Sequence, residues 1–418
     1  MTSLFWPGDH RAGGLLGDEA YCRALVEVEA AWLDALVSSG LAPDTVGADA
    51  GRAVRDLTDD VLAQRDALAE GAESGGNPVI GLVALLRERL SAGPAGRTVA
   101  ATWLHRGLTS QDVVDTALVL CSRDAVDAVV ADVEEQVVLL AELAAEHRGS
   151  LMAARTLTQH AVPTTFGVKA AGWLVGVLDA RDRLAALRFP VQLGGAGGTL
   201  SGLVELAGRA AGEDPAARAR LARDVRQRFA DALGLEAVAP WHTTRGPVTA
   251  LGDAAVAATD AWGRIARDVL VLTRPEVGEL ALAATGGSST MPQKANPTLA
   301  VLVRRTALVA PGLAATLHLA AADQVDERAD GAWHAEWATL ADLLRRTVVA
   351  GAEATALLEA LEVRADVMAE RALGAADALT AEQRGLAGVA GHEPVGPYLG
   401  LAEDLVDEVL RRAHRPTP

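Results

Sequence analysis

The longest run of residues without a helix breaker extends from Ser110 to Arg148. These 39 residues contain neither Gly nor Pro, and apolar side chains recur along them with the three- and four-residue spacing of a helix. At 1.5 Å per residue such a helix would be about 60 Å long. Helices of this length occur in coiled coils, in membranes or in long bundles. The run also holds acidic side chains, which exclude a membrane span and favour a long bundle: Asp124, Asp132, Glu134, Glu135 and Glu142.

Further helical patterns fill most of the chain, and prolines lie at the ends of several of them. Proline is well placed in the first turn of a helix or just beyond its end. Four of these patterns predict helices over 18–39, 164–189, 248–274 and 335–364. A fifth begins after Pro297 and should kink at Pro311. We find no alternating pattern typical of strands and no repeat, so the sequence predicts a bundle of long helices with smaller helical caps at either end.

The composition limits the classes of partner. The formal net charge is −17, and half of the residues are apolar although only 3% are aromatic. A chain this acidic lacks the basic surface that nucleic acids and anionic membranes require. An anionic substrate must then be held by local cations and N–H donors in a pocket. The abundance of Ala, Val and Leu suits helices that pack closely on one another.

The sequence also predicts the cellular setting. Cys22 and Cys121 lie far apart and are expected to be small core residues of a reduced, cytoplasmic protein. The first residues lack the basic and apolar regions of a signal peptide. No uncharged apolar stretch reaches the roughly 18 residues that a membrane span needs.

Two of the rarest residue types in the chain point to one segment. The sequence contains two lysines and two asparagines, and Lys294 and Asn296 are one of each. Because every other basic side chain apart from Lys169 and the histidines is Arg, a Lys indicates a site that needs a compact ammonium group. The two residues close the segment 286–297, which we call the signature loop and which reads GGSSTMPQKANP. Its glycines indicate a mobile loop, and its Lys and Asn suit an anionic oxygen.

Two other segments place polar groups at predicted helix starts. Thr109 and Ser110 precede the longest helix, where they cap it or, with its free N–H groups, bind a carboxylate. Gln159 and His160 precede another helix. His160 is either a structural histidine or an acid, base or anion ligand. His242 and Arg245 also lie just before a helix and could meet the other segments in space.

Several alternative chemistries lack their motifs. The glycine cluster 194–199 has neither the Lys of a phosphate-binding loop nor the spacing of a dinucleotide fingerprint, and it is interpreted as a tight turn between helices. No H-x-x-x-H, no C-x-x-C and no G-x-S-x-G occurs. His334 is interpreted as structural. The sequence therefore shows no motif for a metal site, a phosphate-binding loop or a dinucleotide site.

The signature loop resembles the GSSxMPxKxNP pattern of the fumarase/aspartase superfamily, and the segments around Thr109–Asp112 and Arg155–Gln159 resemble two further segments of it. Within that superfamily the chain is most similar to the branch of 3-carboxy-cis,cis-muconate cycloisomerases. Adenylosuccinate lyases carry His where this chain has Leu157 and Lys-His-Asp where it has 76–78. Two departures are Ala295, where relatives often carry Arg, and a C-terminal region that is shorter than in many relatives.

The resemblance implies an all-α fold of three helical domains, here 1–100, 101–345 and 346–418. It implies a homotetramer whose composite active sites draw the three segments from different subunits, with no cofactor or metal. The implied activity is lactonisation of 3-carboxy-cis,cis-muconate to 4-carboxymuconolactone in aromatic (protocatechuate) catabolism. The alternatives are another superfamily lyase that releases fumarate by β-elimination, such as adenylosuccinate lyase, or a non-catalytic structural relative.

The resemblance also implies roles for single residues. Ser288, the first Ser of the signature loop, is the expected proton carrier, and His160 is a second candidate. Lys294 is expected to stabilise negative charge with Asn296. The expected catalytic set is therefore Ser288, His160 and Lys294. The expected substrate-binding set is Thr109, Ser110, Gln159, Asn296, His105 and Arg245.

Overall fold

The computed structural model describes residues 3–93, 95–287, 290–291 and 293–415. Regular structure within them is mostly helical, which confirms the predicted all-α class. The first helices are α1 (Asp18–Ser38), α2 (Ala50–Arg55), α3 (Thr58–Ala63), α4 (Arg65–Gly75), α5 (Val79–Ala92) and α6 (Ala95–Trp103). The next are α7 (Ser110–Glu146), α8 (Phe166–Ala185), α9 (Ser201–Ala211), α10 (Pro215–Leu233), α11 (Gly246–Leu272), α12 (Thr298–Ala322) and α13 (Ala332–Glu359). The last are α14 (Ala365–Gly374), α15 (Ala376–Leu379), α16 (Ala381–Ala390) and α17 (Ala402–Ala413).

The long helices begin and end close to their predicted positions. The longest, α7, has 37 residues, and Thr109 is its N-cap. The backbone N–H of Thr109 donates to the Asp112 carboxylate at 3.0 Å, which fixes the helix start as the sequence predicted. Pro311 lies inside α12. The predicted domain boundary at 345 falls within α13, and the division into three domains stays a prediction.

The central helices pack closely because small residues lie between them. α11, α12 and α13 pack along one another, and α7 packs against α8 and α13. A Cβ added to Gly263 on α11 would lie 2.5 Å from the Cβ of Ala307 on α12. A Cβ added to Gly351 on α13 would lie 2.8 Å from Oδ2 of Asp132 on α7. A larger residue at either position would therefore force the helices apart, so these glycines allow the close approach of α11 to α12 and of α13 to α7.

The prediction that the chain has no strands was wrong at two places. β1 (Leu151–Thr156) pairs antiparallel with β2 (Gln159–Thr165), and β3 (Leu280–Leu282) pairs antiparallel with β4 (Leu361–Val363). The strands are short, and a register shift in β1 interrupts the alternation of its side chains. The hairpin turn also lacks the usual Asn-Gly signal, because Leu157 and Thr158 occupy its two positive-φ positions.

The bundle has two ends. α7 begins at Thr109 and leads into the β1–β2 hairpin, from which α8 returns. The side-chain amide of Gln111 donates to the carbonyl of His242, so α11 also starts at the Thr109 end. α11 leads to β3 and the signature loop at the hairpin end. At 1.5 Å per residue, the length of α7 separates the two ends by about 55 Å.

α12 exposes an apolar stripe. It is long and apolar enough, by length and composition, to cross a membrane, and little of its most apolar window is buried in the single chain. Val301, Leu308 and Leu319 are 52%, 69% and 71% exposed and fall on one side of the helix, since intervals of 7 and 18 residues are close to whole turns. Contiguous exposed apolar patches mark protein–protein or membrane interaction sites, and this stripe is a candidate for one.

The N-terminal arm, residues 3–17, lies against α12 and α13. Arg345 donates to both carboxylate oxygens of Asp9 at 2.7 and 2.9 Å, and Arg305 donates to the carbonyl of Pro7 at 3.1 Å. Beneath the arm, Glu353 is fully buried, and neither carboxylate oxygen accepts a hydrogen bond from a described residue. Burial raises the pKa of Glu353 to about 7, although Arg305, at 3.7 Å, opposes the shift.

The raised pKa of Glu353 predicts that the free energy of unfolding depends on pH. Because its pKa is raised in the folded state, the folded protein holds the Glu353 proton more tightly than the unfolded chain. This stabilisation is complete below about pH 4.5 and is lost as the pH rises through about 7. Glu353→Gln should therefore raise the free energy of unfolding at pH 8 by roughly 3 kcal/mol, at about 1.4 kcal/mol per unit of pKa. Urea unfolding of both proteins at pH 5 and pH 8 measures this, and an equal pH dependence in the variant contradicts it.

Candidate active site

The Asp112 carboxylate organises the start of α7. It is fully buried and accepts hydrogen bonds from Thr109, Gln192, Gly194, Gly195 and His242 at 2.9 to 3.2 Å. A side chain at position 194 would collide with the His242 ring, since its Cβ would lie 2.5 Å from Cε1. The glycine cluster is thus a turn between helices, as predicted. It also binds the first turn of α7 through backbone N–H groups.

Arg245 lies in the interior, three residues after His242. Its guanidinium contacts Asp115 at 2.7 and 3.1 Å and Glu336 at 2.6 to 3.1 Å. Burial alone would lower its pKa, but the two carboxylates outweigh burial and raise it. The side chain is inaccessible to solvent. Its charge is fully paired inside one chain, which gives Arg245 the contacts of a structural cation. Its place among the substrate ligands stays a prediction.

His105 is also paired within the chain. Its Nδ1 lies 2.6 Å from Oε1 of the buried Glu29. Burial of the imidazole opposes protonation, yet the charge and hydrogen bond of Glu29 prevail and raise the pKa of His105. The backbone of His105 has a positive φ of 62°, which is uncommon outside glycine. His105 therefore lies at the Thr109 end of the bundle, but its ring faces a carboxylate of its own chain.

Arg328 is a residue at this end that the sequence did not single out. It lies between α12 and α13, where its Nη2 donates to Oγ1 of Thr109 and its Nε donates to Oε1 of Gln111 at 3.3 Å. Two residues before it, Asp326 has a positive φ of 49°. Arg328 therefore adds an exposed cation beside the hydroxyl of Thr109. Its contacts are more than 200 residues distant in sequence, so no local pattern could reveal them.

At the other end of the bundle, the β1–β2 hairpin presents Gln159 and His160. Both side chains are exposed. Gln159 pairs across the hairpin with Thr156, and His160 pairs with Arg155. Because successive strand residues point to opposite faces, Gln159 and His160 project from opposite faces of the hairpin. The turn that carries them is formed by Leu157 and Thr158, with φ of 47° and 72°.

Hydrogen bonds between Gly286 and Asn296 close the signature loop, and we call this pair of residues the stem of the loop. The backbones of Gly286 and Asn296 exchange two hydrogen bonds at 2.8 and 3.0 Å, and the Asn296 side chain donates to the Gly287 carbonyl at 3.1 Å. The stem needs glycine at 286, because a Cβ there would lie 2.0 Å from Oγ1 of Thr298. Lys294 is exposed and its Nζ has no hydrogen bond or ion pair with a described residue. Ser288, the predicted proton carrier, lies outside the described residues.

The predicted site residues thus form two groups rather than one. Thr109, Ser110, His105 and Arg245 lie at the Thr109 end, and Gln159, His160, Lys294 and Asn296 lie at the hairpin end. Most positive-φ residues other than glycine also lie at these ends, as expected where backbone strain marks functional segments. They are His105, Leu200 and Asp326 at the first end and Leu157 and Thr158 at the second. Because about 55 Å of helix separates the groups, one chain cannot join them around a small substrate.

Other predicted features fall outside these groups. Cys22 and Cys121 are buried and unpaired. The Nε2 of His334 donates to the Gly76 carbonyl at 2.8 Å, and the ring packs against Trp333 and Trp337, in keeping with a structural role. No group of three or more His, Cys, Asp or Glu side chains suited to a metal ion occurs within the described part of the chain.

Comparison with known proteins gives consistent matches. A lyase family model matches residues 17–312. The nitrosuccinate lyase of Streptomyces davaonensis is 43% identical over 360 residues, which are 84% of this chain and 73% of that protein. The 3-carboxy-cis,cis-muconate cycloisomerase of Pseudomonas aeruginosa is 37% identical over 96% of this chain and 82% of that protein. The crystal structure of 3-carboxy-cis,cis-muconate lactonizing enzyme from Pseudomonas putida superimposes with a TM-score of 0.79, at 30% identity and 97% coverage of each chain.

Proposed function

The chain belongs to the lyase family of the fumarase/aspartase superfamily, and from this premise we propose that it is a cycloisomerase of 3-carboxy-cis,cis-muconate. The observation that carries the proposed chemistry is the exposed ammonium group of Lys294, which stands beside Asn296 on a loop with the superfamily pattern. The choice of substrate follows the similarity to cycloisomerases over nearly the whole chain. We further propose that the enzyme acts in the cytoplasm, within aromatic catabolism, and that no metal or cofactor takes part.

The proposed reaction is an addition within one molecule. A substrate carboxylate oxygen bonds to a carbon of the adjacent double bond, and the electron pair of that bond moves to the neighbouring carbon. This carbon lies beside another carboxylate, onto which the charge spreads as a doubly negative aci-form, and it then takes a proton. The reverse sequence is a β-elimination. Since the aci-form is the most difficult species, donors fixed around its oxygens lower the barrier most.

Four of the predicted residues have a role in this reaction. Lys294 and Asn296 stabilise the aci-carboxylate. Ser288 carries the proton, and His160 is a second candidate for proton transfer or carboxylate binding. A serine needs cations nearby and exclusion of water to act as a base. The glycines of the signature loop suit a segment that closes over the substrate.

The remaining carboxylates of the substrate need separate ligands. The proposal gives that role to Thr109, Ser110 and Gln159, as the sequence predicted. Arg328 joins them, because its guanidinium already lies against the Thr109 hydroxyl and can form a forked pair with a carboxylate. A substrate bound there would also meet the free N–H groups at the start of α7.

A second candidate is favoured by the 43% identity to a nitrosuccinate lyase. β-Elimination from nitrosuccinate removes a proton beside one carboxylate, breaks the carbon–nitrogen bond and forms a double bond, so that nitrite and fumarate leave. The same aci-form arises, and the same loop would stabilise it. Adenylosuccinate is a weaker candidate, since Leu157 stands where adenylosuccinate lyases carry His.

The separation of the two groups of site residues supports a site built from several chains. We propose a homotetramer in which the Thr109 end of one chain meets the hairpin ends of others, and in which the apolar stripe of α12 is buried between chains. Light scattering coupled to gel filtration tests this directly. A monomer at micromolar concentration contradicts the composite site.

The test of function supplies both substrates to the purified protein. Lactonisation removes the conjugated diene of 3-carboxy-cis,cis-muconate, and its ultraviolet absorbance falls. Elimination from nitrosuccinate releases nitrite, which is measured colorimetrically. We expect rapid loss of the diene absorbance, abolished in Ser288→Ala. Nitrite release without loss of the diene would replace the cycloisomerase with the second candidate, and neither reaction from a folded tetramer would contradict both.

A further inference from the structure

One ion pair joins the β1–β2 hairpin to the segment that precedes the signature loop. We propose that Arg155 and Glu279 are a positioning pair for the reaction: they hold the hairpin that carries His160 against the segment from which the signature loop emerges. The inference rests on the proposed function, because it assigns the pair an effect on turnover through His160 and Lys294. Neither residue of the pair is assigned a contact with substrate.

The pair is two-pronged and largely enclosed. Arg155 Nη1 donates to Oε2 of Glu279 at 2.9 Å, and Nη2 donates to Oε1 at 2.5 Å. Glu279 is inaccessible to solvent, and the Arg155 side chain is 21% exposed. Two parallel hydrogen bonds between a guanidinium and a carboxylate fix direction as well as distance. The pair can therefore set the angle of the hairpin, which a single contact could not.

The backbone turns Arg155 towards its partner. The β1–β2 register shifts between Ala153 and Arg155, and irregularities of this kind re-aim the side chains that follow them. His160 is the cross-strand partner of Arg155. Directly paired residues of an antiparallel ladder project from the same face. The face of the hairpin that is anchored to Glu279 is therefore the face that carries His160.

Glu279 is in turn fixed to the frame of the signature loop. Its carbonyl accepts a hydrogen bond from the backbone N–H of Arg364 at 3.1 Å. β3 begins at the next residue and pairs with β4. The stem of the loop, at Gly286 and Asn296, follows four residues after the end of β3. A displacement of Glu279 would thus shift both the hairpin and the loop.

Removing the ion pair, and exchanging its two residues, tests its role in turnover. In Glu279→Gln, kcat per folded tetramer should fall roughly 10- to 100-fold, the size expected when reacting groups are slightly misplaced. KM should change less than about threefold, because the substrate ligands remain. The Arg155→Gln/Glu279→Gln double variant should lose no more than either single variant. The exchanged pair Arg155→Glu/Glu279→Arg should recover part of the lost kcat.

A control variant separates an effect on the position of the hairpin and the loop from an effect on the stability of the protein. Arg55 and Glu27 form another two-pronged pair, at 2.7 and 2.8 Å, between α1 and α2. Glu27→Gln should leave kcat per folded tetramer unchanged. If Glu279→Gln lowers only the unfolding temperature and also leaves kcat unchanged, the pair is merely structural and the proposal is overturned.

A measurement without substrate distinguishes failure of this inference from failure of the proposed function. Amide hydrogen exchange in Glu279→Gln should accelerate in both 151–165 and 286–297, relative to wild type and to Glu27→Gln. This result supports the link even if neither substrate is turned over. Acceleration in one segment alone, or in neither, overturns the link even in an active cycloisomerase.

Discussion

Lys294→Ala should lower kcat by roughly a hundred- to a thousandfold, the cost of removing one donor that stabilises a developing oxyanion. The fold should be unaffected, because the Lys294 side chain is exposed and its ammonium group has no described partner. Lys294→Arg should restore little of the activity, since a planar fork does not replace a compact ammonium charge. Steady-state kinetics with whichever substrate the wild type converts gives the measurement.

The chain supplies its own control for that substitution. Lys169, the other lysine, lies on α8 with its Nζ 3.7 Å from Asp268. Lys169→Ala removes an equal charge from a position outside the proposed site and should leave kcat within about twofold, in line with surface substitutions. Equal losses in the two variants, or an undiminished kcat in Lys294→Ala, would remove Lys294 from the mechanism.

Arg245→Leu should have the largest effect on stability, roughly 3–5 kcal/mol, because it leaves buried charges unpaired. The carboxylates of Asp115 and Glu336 would lose their shared cation inside the bundle. Urea unfolding gives the free energy of unfolding. Combining Arg245→Leu with Asp115→Asn and Glu336→Gln should restore much of the loss, since the remaining groups are then neutral.

An exposed ion pair provides the comparison for Arg245. Arg228 and Asp224 lie one turn apart on α10, at 2.7 Å, and both are about half exposed. Arg228→Leu should change the free energy of unfolding by less than about 1 kcal/mol, as exposed pairs do. A cost for Arg245→Leu no larger than that of Arg228→Leu would show that Arg245 is not the structural cation that its contacts indicate.

The sequence predicted the elements whose causes are local. α7 could be placed because helical periodicity and the cap at Thr109 and Asp112 lie within one continuous segment. The hairpin was missed because its strands are short, its register shifts near Arg155 and its turn uses Leu157 and Thr158. Each of these features removes a signal on which recognition of strands depends.

The roles of charged residues were harder to predict, because they depend on distant partners. In the sequence, Arg245 is a cation just before a helix, and it was predicted to bind the substrate. Its partners Asp115 and Glu336 lie 130 and 91 residues away, and they alone make it a buried structural residue. For the same reason the sequence did not reveal the contact of Arg328 with Thr109 or that of Arg155 with Glu279.

The central claim is that acid–base chemistry occurs at a site shared between chains, and subunit complementation tests it most directly. Lys294→Ala alters the hairpin end, and a Thr109→Val/Ser110→Ala double variant alters the Thr109 end. Each protein alone should be nearly inactive. Mixed tetramers should regain activity, because some of their sites combine an intact loop with an intact α7 start. Mixed tetramers that are verified by mass spectrometry and stay as inactive as their parents would contradict the shared site.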